Sequence, residues 1–187
     1  MRSFAIVLAL LLLPSTWAPP RAQAQDIGAV IDWIHRLSGP SMLGGAVSVA
    51  HPLGSERVRG RLQLAYRVAV ASDDRIEPDG ASVTMFTIRP GVEIPLFWYL
   101  ELNSGIAFNR FGGDADEGFW KASFPVLAQL RIPLGEGRWM LRAGAGLEYF
   151  PKFSEGDFDP IDVSVKTEEG EFAGAFMIGF DWAIGSR

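Results

Sequence analysis

From Val58 to Ala71 the chain reads VRGRLQLAYRVAVA, and its side chains alternate between two chemical kinds. Val58, Leu62, Leu64, Tyr66, Val68 and Val70 share one parity, while Arg59, Arg61, Gln63, Arg67, Ala69 and Ala71 share the other. A strand turns successive side chains to opposite faces, so the segment predicts a ribbon with one apolar and one charged face. It is also long, because a membrane-crossing strand needs roughly 9–11 residues and a globular strand has about 5–6.

The pattern recurs. Met42 to His51 is a strand rich in small residues, closed by the turn Pro52-Leu53-Gly54-Ser55. Val83 to Ile94 sets Phe86, Ile88, Val92 and Ile94 against Arg89, Gly91 and Glu93, with Pro90 on the apolar parity marking a bulge. After a turn at Pro95 to Trp98, Leu100, Leu102, Ile106 and Phe108 oppose Glu101, Asn103, Gly105 and Asn109. Trp120 to Ile132 opposes Lys121, Ser123, Gln129 and Arg131 to its apolar set, and Leu134 to Gly137 turns it. Trp139 to Tyr149 turns Arg142, Gly144, Gly146 and Glu148 the other way, and Phe172 to Ile184 does so with Ala175, Met177, Gly179 and Asp181. Ile161, Val163 and Val165 alternate more weakly with Asp162, Ser164 and Lys166. Ser72 to Ala81, Phe111 to Gly118 and Pro151 to Asp159 are polar or acidic and read as loops.

Asp26 to Pro40 differs. Ile27, Val30, Ile31, Ile34 and Leu37 follow the three-and-four spacing of an amphipathic helix, with Asp26 as N-cap and Gly39-Pro40 as the stop. The expectation is a short helix, segment 25–41, ahead of a β-domain spanning 42–187; the competing reading is a strand from Ile27 to Ile34.

Alternation alone leaves open whether the apolar parity faces lipid or a soluble core. The interior of an eight-stranded barrel is just wide enough for side chains to fill, and the bulky apolar set would overfill it. The other parity mixes Gly and Ala with opposed charges and suits a narrow lumen. Trp98, Trp120, Trp139, Tyr149 and Trp182 lie at or near strand ends, where interfacial aromatic girdles sit. Turning Arg61 or Arg67 toward lipid near the midplane would cost roughly 2–4 kcal/mol each. The charged parity therefore faces inward, bringing Arg59, Arg61, Arg67, Arg89, Lys121, Arg131, Arg142 and Lys166 among Glu93, Glu101, Glu148, Asp162 and Asp181. Buried charges need partners, so the lumen is expected to be plugged by salt bridges.

Composition adds exclusions. The 187 residues form one composition regime, and the absence of cysteine removes disulfides and thiolate chemistry. Two histidines, His35 and His51, leave no multi-histidine metal site, so no cofactor or metal is expected. Arg2, the apolar run Phe4 to Leu13 and Ala22-Gln23-Ala24 have the three parts of a secretory signal, residues 1–24, cleaved after Ala24. Cleavage takes the formal charge from −5 to −7 by removing Arg2 and Arg21, and a net-acidic chain without a basic cluster is not expected to bind nucleic acid.

The chain resembles the small outer-membrane β-barrel proteins of Gram-negative bacteria, the eight-stranded OmpA and OmpX type. The resemblance rests on pattern, from the signal to the aromatic last strand, and departs at the end, where Gly185-Ser186-Arg187 follow Trp182 and Ile184. It implies an all-β, antiparallel, up-and-down transmembrane barrel of about eight strands in the cell outer membrane, monomeric, with outer-membrane lipid and the barrel assembly machinery as partners. Seven strands are strong, and the eighth is Ile161 to Lys166, favoured by local pattern, or Ile27 to Ile34, favoured by the habit of the family. The first choice puts the longer loops in the periplasm and the second puts them outside.

Candidate chemistry is sparse. Asp32, His35 and Ser38 offer an acid, a base and a nucleophile on one helix face, yet adjacent turns seldom supply triad geometry. A lipid-modifying barrel enzyme would need a histidine beside a lipid-facing or lumen-edge serine, and His51 has no such motif. Asp114, Asp116 and Glu117, then Glu155, Asp157 and Asp159, are spaced as hard-cation ligands would be, though solvated loop charge explains them. Gly144 and Gly146 lie inside a strand and match no phosphate loop. The expectation is a non-enzymatic outer-membrane barrel with a structural or surface-interaction role. The alternatives are a soluble periplasmic lipocalin-like binder of an apolar ligand, which lacks the Gly-x-Trp opening of that class, and a lipid-modifying enzyme.

Overall fold

The computed structural model describes residues 25–36, 41–70, 83–113, 119–135, 138–151 and 170–184, with the side chains of 55–57 left aside. Among the described residues nine strands form one antiparallel sheet: β1 Gln25–His35, β2 Met42–Leu53, β3 Ser55–Ala69, β4 Val83–Phe97, β5 Leu100–Gly105, β6 Ala107–Gly113, β7 Phe119–Pro133, β8 Trp139–Phe150 and β9 Glu171–Ile184. β1 pairs with β9 along its whole length, from Gln25 opposite Ile184 to His35 opposite Gly174, and this pairing closes the sheet into a barrel. β5 and β6 both lie between β4 and β7 in one continuous register, so they are a single strand interrupted at Ile106 and the barrel has eight staves.

The interruption has a cause in the neighbouring strand. Pro90 has no amide N–H for the ladder, and its carbonyl accepts instead from the Ile106 N–H at 3.1 Å. β4 itself runs through Pro90 without a register shift against β3. The irregularity anticipated at Pro90 thus appears opposite it.

The N-terminal segment corrects the helix reading: 25–35 is a strand, and the helical expectation for 25–41 does not hold over it. Ile27, Ile31, Trp33 and His35 face outward, whereas Asp26, Val30, Asp32 and Ile34 face inward. β8 and β9 pair directly, and their other edges are taken by β7 and β1. The barrel therefore closes without Ile161 to Lys166, which lies outside the described residues, as does the leader 1–24.

One end of the barrel carries Gln25, Ile184 and, among the described residues, three connections between strands. The connections there are the turns after Leu53, Phe97 and Pro133. The ends of β1, β3, β6 and β8 and the starts of β2, β4, β7 and β9, joined by 36–41, 70–82, 114–118 and 151–170, are at the other.

The partition of side chains inverts that of a soluble protein. Ile31, Val47, Tyr66, Leu130, Leu147 and Ile178 are exposed on the outer face, while Arg61, Gln63, Glu93, Gln129, Arg142 and Asp181 are buried within. Aromatic pairs ring both ends of the outer face. Tyr149 packs on Phe172 and Phe86 on Trp120 toward the loop end, and Trp139 stacks on Trp182 toward the termini. Phe172 and Trp182 are ten residues apart on β9. At about 3.3 Å per residue and a tilt of about 40°, they are about 25 Å apart along the barrel axis, the height of an outer-membrane apolar band.

Candidate functional site

The lumen is built in layers. Nearest the termini, Arg59, Arg61, Arg131 and Arg142 meet Asp26, Glu93, Glu101 and Asp181, four cations with four anions. Arg59 contacts Asp26 at 2.8 Å, both Glu101 oxygens at 2.7 Å and Glu93 at 3.1 Å. Arg61 donates to Asp181 at 2.8 Å and to the Ser48 hydroxyl at 2.6 Å, and pairs with Glu93. Arg131 contacts Asp26 and Asp181, the latter at 3.3 Å. Arg142 sits 3.6 Å from Glu93 and 3.5 Å from Asp181. Gln129 donates to Glu93 at 2.8 Å and Glu101 at 3.1 Å, and accepts from Arg142 at 3.1 Å. Glu93, Arg142 and Asp181 are each 0% exposed, so their stability depends on this mutual pairing.

Above this lies a small apolar layer of Val30, Ala46, Ala65, Leu127, Ala175 and Met177. The next layer is polar again. Arg67 grips Asp32 through Nε at 3.0 Å and through Nη2, and donates to Thr87 at 2.7 Å. A chain of hydrogen bonds runs on from Thr87 to Asn109 at 2.8 Å, from Asn109 to Ser123 at 2.7 Å, and from Ser123 to Glu148. Arg89 donates to Gln63.

The loop end is closed by an apolar cork of Ile34, Met42, Val83, Met85, Phe111, Phe150 and Ala173, with Phe119 stacked on Phe111. Arg36, just past β1, pairs with Glu171 over the Phe150 ring, 5.1 Å from its centroid. Burial lowers the Arg36 pKa below the ordinary arginine value, and the Glu171 carboxylate opposes that shift.

The charged parity read from the sequence is the lining. Arg59, Arg61, Arg67, Arg89, Arg131 and Arg142 are gathered with Glu93, Glu101, Glu148 and Asp181, while Lys121 is only half-buried and Asp162 and Lys166 lie outside the described residues. Asp26, Asp32, Arg36 and Glu171 complete the set and were missed, the first three because 26–40 was read as a helix. Their strand parity, Asp26 and Asp32 alternating with Ile27 and Ile31, was the available signal.

The proposed acid, base and nucleophile are not brought together. Asp32 points into the lumen at Arg67 and His35 points outward, as strand alternation requires. Ser38 lies outside the described residues, as do the acidic loop sets Asp114, Asp116, Glu117 and Glu155, Asp157, Asp159. His35 meets a different serine, its Nδ1 lying 2.8 Å from the Ser41 hydroxyl at the loop end of the outer face. His51 lies at the opposite end, on β2. Gly144 and Gly146 sit on the inner parity of β8, as small lumen residues. Among the described residues no group of three or more His, Cys, Asp or Glu side chains is arranged to hold a metal ion.

No protein-family model and no curated protein sequence matches the chain. Solved structures do match in shape. Neisserial surface protein A superposes with a TM-score of 0.55 at 10% identity, over 87% of this chain and 96% of that one. The attachment invasion locus protein of Yersinia pestis gives 0.47 at 13% identity, over 87% and 98%. The first likeness is one of fold, and it agrees with the closed register of eight staves and the lipid-height apolar band: the chain folds as a small eight-stranded β-barrel of the outer-membrane type.

Proposed function

We propose that the protein is a non-enzymatic outer-membrane barrel with a structural or surface-interaction role, its lumen a plug and its loops the interaction surface. The observation that carries this reading is the inverted partition, charge inside and a belt of apolar and aromatic side chains outside. That partition runs against a soluble binder, whose apolar parity would have to enclose its ligand. With β1 as the eighth stave, the termini and short turns face the periplasm and the longer connections face outward, as the resemblance implies. Outer-membrane lipid is then the solvent of the belt, the assembly machinery its route of insertion, and a monomer the working unit.

The lipid-modifying alternative has the His35–Ser41 contact in its favour, and against it the commitment of Asp32 to Arg67, which leaves that acid unable to orient the histidine. The test is to express the full chain in a Gram-negative host, separate the membranes and compare unboiled with boiled samples on SDS gels, then place the purified protein in a planar bilayer. The expected result is a heat-dependent mobility shift in the outer-membrane fraction and no conductance steps. Recovery in the soluble periplasm with no shift would overturn the reading, and regular conductance steps would overturn the plug.

A further inference from the structure

Alternation keeps the charge of the strands inside the barrel, with one exception. Among the described strand residues, 55–57 left aside, Arg110 is the one Asp, Glu, Lys or Arg on the outward parity. It stands on β6 between buried Asn109 and buried Phe111 and is itself exposed. The inward arginines of the strands, Arg59, Arg61, Arg67, Arg89, Arg131 and Arg142, all meet acceptors in the lumen. The Arg110 guanidinium has no hydrogen bond or ion pair among the described residues.

Its height on the barrel is set by its neighbours. In the register Arg110 lies opposite Phe86 on β4 and opposite Trp120 on β7, both members of the aromatic girdle at the loop end. The rings of those two residues meet edge to face, with centroids 6.4 Å apart, across the strand that carries Arg110. The next outward position on β6 is Gly112, where an added Cβ would meet nothing nearer than the Thr84 hydroxyl at 3.6 Å. Thr84 is the residue opposite Gly112 on β4. No side chain of β6 therefore stands between Arg110 and the Thr84 hydroxyl on the loop side, while aromatic rings flank the arginine stem.

We infer that Arg110 and Thr84 form a binding site for the phosphate of an outer-leaflet lipid. The inference rests on the outer-membrane reading above, which turns the loop end outward. A cation on the lipid-facing parity is costly near the midplane and tolerated where the headgroups begin, the level that an aromatic girdle marks. Charge selects the class of ligand. A guanidinium without a carboxylate, on strands whose described residues carry no other outward Lys or Arg, is matched by an anion, and phosphate takes its planar fork in parallel charge-assisted hydrogen bonds. The Thr84 hydroxyl adds a further donor. Position selects the source: a lipid whose phosphate sits at Arg110 lays its acyl chains over Ile88 and Phe108, the outward pair one step nearer the midplane. A free phosphate ion gains nothing from that apolar track.

The test uses the full-length protein purified from the outer membrane in non-ionic detergent and stripped of bound lipid. Lipid A or its dephosphorylated form is added, with and without excess inorganic phosphate, and the lipid retained is read by native mass spectrometry. The wild type is expected to retain lipid A roughly tenfold or more over the dephosphorylated form, with or without free phosphate. Arg110→Gln abolishes that preference, Arg110→Lys keeps part of it, and Thr84→Val lowers it several-fold. Arg138→Gln, which neutralises an exposed arginine at the opposite end, leaves it unchanged. Thr84→Val and Arg110→Lys carry the test if Arg110→Gln loses its heat-dependent gel shift. A wild type without the preference, a preference that survives Arg110→Gln, or an equal loss in Arg138→Gln overturns the inference. Displacement of lipid A by inorganic phosphate overturns the lipid as source. The gel shift is read on the same samples and reports the barrel, so failure of the site and failure of the outer-membrane reading remain distinguishable.

Discussion

The two ends of the lumen are filled by opposite chemistries. Toward the termini the seal is four arginines and four carboxylates, and toward the loops it is an apolar cork of Ile34, Met42, Met85, Phe111 and Phe150. The ionic seal is held by direction, since each guanidinium must find its carboxylate, and buried ion pairs repay desolvation only in good geometry. The cork is held by volume and tolerates any packing that fills it. A narrow barrel can therefore be filled either way, and this one carries both fillings in series.

The largest expected effect comes from opening both seals together. Arg142→Ala with Asp181→Ala removes charges in a balanced pair, and Met85→Ala with Phe111→Ala empties the cork. Either pair alone is expected to leave a planar bilayer silent, while the four changes together produce conductance steps. Conductance from one pair alone would show that only one end seals.

Single changes separate the chemistries by stability. Glu93→Ala leaves Arg61 and Arg142 buried with one partner fewer and is expected to cost about 4 kcal/mol, seen as a lower urea midpoint in folding from detergent. Met85→Ala removes a fully buried side chain from the cork and is expected to cost about 3 kcal/mol. The sharper contrast is in replacement: Met85→Leu restores most of the cork, whereas Glu93→Gln keeps the shape and loses the charge. If Glu93→Gln were as mild as Met85→Leu, the ionic seal would be acting by volume too.

The same contrast explains what was legible in the sequence. Where the lumen is ionic, the inner parity carries Arg or Glu at nearly every turn of the pleat, as in Arg59, Arg61 and Arg67 of β3, and period two is plain. Where it is apolar, both faces of a strand carry apolar residues and the period blurs. β1 contributes Val30 to the small apolar layer and Ile34 to the cork, so Ile27, Val30, Ile31 and Ile34 mimic a helical stripe. The His35–Ser41 contact was invisible for a related reason: it spans a chain reversal, and a strand, unlike a helix, sends Asp32 and His35 to opposite faces.

The smallest expected effect concerns the turns at the ionic end. Two of them place a glycine in the left-handed region, Gly54 at φ 65° and Gly135 at φ 63°, as the steric map favours. The third places Trp98 there, at φ 47° and 94% exposed. A left-handed conformation costs a side-chain-bearing residue about 1 kcal/mol. Trp98→Gly is therefore expected to raise the unfolding free energy in detergent by about that amount, while Trp98→Ala, which keeps the Cβ and its clash, leaves it where it was. Equal midpoints for the two variants would mean the turn carries no backbone strain. A gain with glycine alone would identify Trp98 as a residue held at this end against its own backbone preference, where the other two turns yield to theirs.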